Sequence, residues 1–195
     1  MRALIACSAL LALAACQSLP PTASTPWPER RAALQAIGQY GFTGQFAAAT
    51  GTDGFSASIQ WQQQGAVSDV LLRAPLGVGG ARLNYDGRAL HVTDSHGTQL
   101  DGDAARQEIQ RVFGFDPPLA SLRYWLLGVP DPATAASETL DEAQRLSRLQ
   151  QGDWQIDYAD YLQASGEATG QWLPRRLTMH RGPVKLKLQV SHWQL

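Results

Sequence analysis

Gly41-Phe42-Thr43-Gly44-Gln45-Phe46-Ala47-Ala48-Ala49-Thr50, then Gly51-Thr52-Asp53-Gly54, then Phe55-Ser56-Ala57-Ser58-Ile59-Gln60-Trp61-Gln62, is the stretch that decides the fold. Phe42, Gly44, Phe46 and Ala48 alternate with Thr43, Gln45 and Ala47, and Phe55, Ala57, Ile59 and Trp61 alternate with Ser56, Ser58, Gln60 and Gln62. A period of two sends one set to each face of a strand, so both segments are strands with one apolar and one wet face, joined by a Gly-rich turn.

Working outward, the same pattern recurs at Val67 to Arg73, Arg82 to Tyr85 and Ala89 to Thr93, with Asp86-Gly87 as a two-residue hairpin signal. It returns at Trp154, Ile156 and Tyr158, near Arg175 to His180, and at Val184, Leu186, Leu188 and Val190. At Trp193 the parity shifts, which predicts a bulge or corner. Roughly eight to eleven antiparallel strands in one domain make a mainly β (α+β) protein whose sheet is strongly curved, open or closed.

Helical spacing appears in three places. Trp27-Pro28 opens a helix to about Gln39, with Gly41 as its stop. Asp101-Gly102-Asp103 offers N-caps for a helix over Ala104 to Phe113, and Pro117-Pro118 starts another that ends at Gly128. The last carries Leu119, Leu122, Trp125, Leu126 and Leu127, more apolar surface than one core-facing stripe requires, as a lid would.

The N-terminus addresses the chain. Arg2 precedes an apolar run from Ala3 to Ala15 that is too short for a membrane span and closes on Leu13-Ala14-Ala15-Cys16, which resembles a bacterial lipobox. Residues 1–15 are then a cleaved signal, Cys16 the lipid-modified residue, residues 16–26 a Pro- and Thr-rich tether, and residues 27–195 the domain. The alternative, an ordinary secretory signal, would leave Cys16 as a lone thiol in an oxidising compartment, because Cys7 leaves with the signal. Gln17 stands where lipoproteins kept in the inner membrane resemble one another in carrying Asp, which implies the periplasmic face of the outer membrane.

The net charge of −1 with scattered Lys and Arg argues against nucleic acid and against capture by anionic lipid. His91, His96, His180 and His192 show no metal-ligand spacing, and no nucleophile or phosphate-cradling glycine loop accompanies them. Asp157 and Asp160 form a nominal carboxylate pair, but Asp157 falls on the polar face of its strand. No catalytic residue, metal or cofactor is therefore assigned.

A sheet curved this far encloses packed side chains or a ligand cavity, and small inward residues at Gly44, Ala48, Ala57 and Ala81 leave space for the latter. Strand parity gives the inward set: Phe42, Phe46, Phe55, Ile59, Trp61, Leu83, Tyr85, Trp154, Ile156, Leu186 and Leu188, with Leu122 and Leu126 as lid residues. Between two strands, Arg73-Ala74-Pro75-Leu76-Gly77-Val78-Gly79-Gly80 puts apolar Leu76 and Val78 in a Pro/Gly loop, either folded back or exposed as an inserting tip.

Gly41-Phe42, Trp61, Pro75-Leu76-Gly77, Leu122-Arg123-Tyr124-Trp125-Leu126, Gly128-Val129-Pro130, Trp154 to Tyr161, Leu173-Pro174, Lys185-Leu186-Lys187-Leu188 and Trp193 together resemble the LolB family over nearly the whole mature chain. The resemblance implies an unclosed β-barrel whose apolar concave face is covered by helices and holds the acyl chains of lipoprotein cargo. It also implies a periplasmic carrier, LolA, as donor, the outer membrane as destination, and a monomeric receptor. The family's loop leucine, which passes cargo to the membrane, falls on Leu76. With no nucleotide site, transfer would run downhill by differences in affinity. Two other classes stay open: an envelope-binding lipoprotein with a packed barrel, and a hydrolase using His96 or Asp157.

Overall fold

Pairing with a neighbour overrides the opening helical pattern. The structure, a computed structural model, describes residues 25–75, 79–165 and 170–195, so Cys16 and Leu76 lie outside the described residues. Helix α1 (Trp27–Gln35) has Pro28 in its first turn and buries Trp27 and Leu34, but it stops short of the expected Gln39. Strand β1 (Gln39–Thr50) pairs from its first residue with β2 (Asp53–Gln64), and the Gly65 N–H donates to Gly38 O at 2.6 Å just outside that ladder. Gly41, expected as a helix stop, is a strand residue, and a Cβ there would lie 2.6 Å from the Gln62 amide.

From this hairpin the sheet grows both ways. On one side run β3 (Val67–Arg73), β4 (Gly80–Tyr85), β5 (Leu90–Asp94) and β6 (Gln99–Asp101). After β6 the chain forms α2 (Gly102–Phe113) and α3 (Leu119–Trp125), then β7 (Ala136–Leu140), β8 (Leu146–Gln151) and β9 (Trp154–Tyr158). Strands β10 (Tyr161–Gln163) and β11 (Trp172–Pro174) make a separate ribbon, followed by β12 (Arg176–Arg181) and β13 (Val184–Gln194). The eleven-stranded sheet has the order β6-β5-β4-β3-β2-β1-β13-β12-β9-β8-β7. Its pairs are antiparallel, and it curls without closing.

Open edges invite pairing with other chains, and both are guarded. Three-residue β6 leads straight into α2. At the other edge, Glu138 of β7 accepts from Trp27 Nε1 at 2.5 Å and Arg31 Nη1 at 2.7 Å, so α1 is fastened there.

The expected parity break is a bulge. Thr43 pairs with His192 and Gly44 with Val190, leaving Ser191 over. A Cβ on Gly44 would lie 2.3 Å from Gln189 O, so this glycine admits the bulged backbone rather than leaving cavity space. The β4–β5 hairpin turns one residue later than Asp86-Gly87 suggested: the Asp86 N–H donates to Ala89 O, with Gly87 and Arg88 at the tip.

Strands β7 and β8 were not visible in the sequence. Buried Leu146, Leu149 and Gln151 are spaced three then two, the register shifts beside Leu140, and one inward residue is polar, so no period of two survives. Among the described residues, no helix is long and apolar enough to cross a membrane.

Candidate functional site

The rows of inward side chains meet across the sheet. Trp61 stands opposite Phe42 and Val70, Ile59 opposite Leu72, Phe46 opposite Leu188, and Leu186 opposite Met179. Every buried side chain of this size contributes about 1.5–3 kcal/mol. Above the concave face lie α3 and the segment that joins it to α2.

Between floor and cover is a partly open void of about 60 Å3 with an apolar lining. Eight of the sequence-predicted residues meet there: Phe46, Ile59, Trp61, Leu83, Leu186 and Leu188 from the sheet, and Leu122 and Leu126 from α3. The other five sit elsewhere on the same face. Phe42 stacks on Trp61 at 6.1 Å and packs on Trp193 at 4.9 Å. Trp154 packs on Phe115 and Trp125, Ile156 is fully buried, and Tyr85 is half-buried at the margin. Phe55 lies beside the void, 4.9 Å from Phe113.

Parity reasoning missed seven lining residues. Val70 and Leu72 were in a strand already recognised and could have been added by the same alternation. Met179 is inward on β12, and its signal was the same. Phe113, Phe115 and Pro117 come from the end of α2 and the connection to α3, and Leu119 opens α3, where no strand period exists to reveal them.

The cover is held unevenly. Tyr40 Oη donates to Arg123 O at 2.7 Å, Tyr158 Oη to Trp125 O at 3.0 Å, and Trp125 Nε1 to Gln151 Oε1 at 2.7 Å, so three hydrogen bonds tie α3 to the sheet. Gln151 also accepts from the Asp131 N–H and donates to Asp131 O and Thr134 O, satisfying its buried amide. Burial pushes both the Tyr40 and Tyr158 hydroxyls well above the usual tyrosine range, keeping them protonated donors. Among the described residues, α2 receives from a sheet side chain the single bond Thr50 Oγ1 to Phe113 O, at 3.1 Å. Gly114, with φ of 78°, ends α2 in the left-handed region and turns the chain into the connection.

Charged groups lie away from the void. Asp157 bonds Arg148 at 2.6 Å; partial burial alone would raise its pKa, but hydrogen bonds from Arg148 and Gln155 outweigh that and lower it. Asp160 pairs with Arg176, so the two aspartates have separate partners. His91 bonds Asp101, His96 lies 3.7 Å from Asp94, and His192 meets Ser165. The described residues hold no group of three metal-ligating side chains.

Residues 38–193 match the sequence family described as outer membrane lipoprotein LolB. A protein named outer-membrane lipoprotein LolB from Alkalilimnicola ehrlichii is 34% identical over 100% of this chain and 97% of its own length. One of the same name from Nitrosococcus oceani is 31% identical over 95% and 94%. In fold, the chain resembles the crystal structure of a LolA superfamily protein from Nitrosomonas europaea, with a TM-score of 0.52, 12% identity and coverage of 87% and 91%.

Proposed function

The chain belongs to the LolB family, and from that premise we propose that it is an outer-membrane lipoprotein receptor, which takes acylated lipoproteins from a periplasmic LolA-type carrier and inserts them into the membrane. The observation that carries this reading is the all-apolar void between a curled sheet and its helical cover. Each methylene kept from water is worth about 0.8 kcal/mol, so a receptor for acyl chains needs such a surface and no catalytic group. We read the chain as non-catalytic for that reason.

The void is a few waters in size, far below the ~300–1,000 Å3 of ordinary ligand sites. To be held there, acyl chains must lift part of the cover. Fewer side-chain hydrogen bonds reach α2 from the sheet than reach α3, and on that ground we take α2 and the connection after it as the part that yields. In this reading Cys16 carries the lipid that anchors the receptor on the periplasmic face, residues 16–26 are the tether, and Leu76 is the tip that delivers cargo to the bilayer.

Two variants separate the steps. Ile59→Asp puts an unpaired charge among the lining side chains and abolishes binding of a triacylated peptide while the fold persists. Leu76→Glu keeps that binding and loses release to liposomes. Binding by folded Ile59→Asp equal to the parent's would remove the cavity from the account, and normal release by Leu76→Glu would remove the loop.

A further inference from the structure

A second, larger hollow adjoins this void. It measures about 470 Å3, is largely apolar with Ser56, Asp94 and Glu108 also in its lining, and runs between α2 and the β2–β3–β4–β5 part of the sheet. Ala57 and Ala81 keep its floor low, Ile109 and Val112 form its α2 wall, and Leu72 and Phe113 line both it and the smaller void. Ala74, Pro75 and Gly80, the roots of the loop that bears Leu76, form its outer end.

We propose that this groove is the port through which cargo acyl chains enter and leave, and that the Phe113 ring is the gate between port and cavity. The proposal rests on the acyl-binding reading above and adds its route. Three observations support it. The port is within the ~300–1,000 Å3 range of ligand sites, whereas the smaller void is not. Val112, at 47% exposure, is among the few large apolar side chains in the described residues turned to water, and it faces this groove. Phe113 ends α2 and contacts Phe55, Phe46 and Phe115 edge-on or tilted, so it can leave the opening while Phe46 and Phe55 keep their own edge contact. A chain sliding out past Phe113 emerges beside Ala74 and Pro75, at the base of the Leu76 loop, which links storage to delivery along one largely apolar groove.

The test places a benzophenone side chain at Val112, at Leu83 inside the cavity, or at Val67, which is 39% exposed at the far end of β3. The full chain, in liposomes, receives a lipoprotein bearing alkyne-tagged acyl chains. The expected result is cross-linking of the tagged chains at Leu83 and Val112 and none at Val67. Cross-linking at Leu83 without Val112, or at Val67 as strongly as at Val112, overturns the port and leaves the cavity standing. No cross-link at Leu83 or Val112 overturns the acyl-binding reading and the port with it. A second measurement follows uptake of a fluorescent acyl probe: Phe113→Ala accelerates it about three- to tenfold, the worth of an aromatic pair or so, and Phe113→Trp slows it. Equal rates for both variants and the parent contradict the gate.

Discussion

At the scale of single residues, the tyrosine hydroxyls that hold the cover make a prediction in pH. Burial raises the folded-state pKa of Tyr40 and Tyr158 above the unfolded value of about 10, so the folded protein keeps protons that the unfolded chain would lose. Their contribution is therefore complete below about pH 10 and is lost as the pH climbs from there towards the folded pKa. The thermal midpoint should hold to about pH 9 and fall steeply beyond 10. Tyr40→Phe costs about 1 kcal/mol at neutral pH through the lost bond to Arg123 O, and it makes the alkaline fall shallower. An alkaline limb unchanged in Tyr40→Phe would show that this hydroxyl does not hold α3.

Residues on regular strands were legible from the sequence because a period of two is a direct readout of facing. Six of the inward side chains that alternation selected, with the two lid leucines, meet at one void. Gly44 shows where the method stops: a missing side chain reads as space, but here it accommodates the backbone of Gln189 across a bulge. Phe113, Phe115 and Pro117 were not legible, since their approach to the void depends on where a turn at Gly114 aims the chain.

At the scale of elements, the decisive contrast is between the two covering helices. Helix α3 is bonded through Tyr40, Tyr158 and Gln151, and the Gln151 amide alone serves Trp125, Asp131 and Thr134. Gln151→Ala orphans two donors and two carbonyls, and at about 1–3 kcal/mol for each buried group left unpaired the loss should be about 3 kcal/mol or more. A urea midpoint shifted by less than ~1 kcal/mol at constant slope would show that water replaces the amide and that α3 is not secured by it. The sequence identified α2 and α3 to within a few residues through their prolines, glycines and apolar spacing. It misread the end of α1, where local spacing favoured a helix but pairing of Gln39 with Gln64 gained more. It passed over β7 and β8 because an inward glutamine and a register shift erase alternation, although that glutamine is what fastens α3.

At the scale of the whole molecule, an unclosed sheet is a compromise between a barrel, which has a fixed interior, and a flat sheet, which has none. The outer edges of β6 and β7 do not meet, so the sheet stays open, while α1 and α2 guard those edges against pairing with other chains. A small void of about 60 Å3 thus lies beside a larger groove of about 470 Å3 on the same face. Movement of cargo needs no energy source if each successive site, carrier, receptor and bilayer, binds the acyl chains more tightly than the last.

The measurement that bears most directly on this account is transfer itself. A LolA-type carrier is loaded with a labelled triacylated lipoprotein and mixed, without nucleotide, with liposomes that display the full chain, and a delipidated cargo serves as the control. The account predicts that acylated cargo leaves the carrier and appears in the liposomes, that delipidated cargo does not, and that none returns to the carrier. Cargo that stays on the carrier, or moves equally well without its acyl chains, would contradict the receptor reading and leave a packed, non-transferring envelope module as the better description.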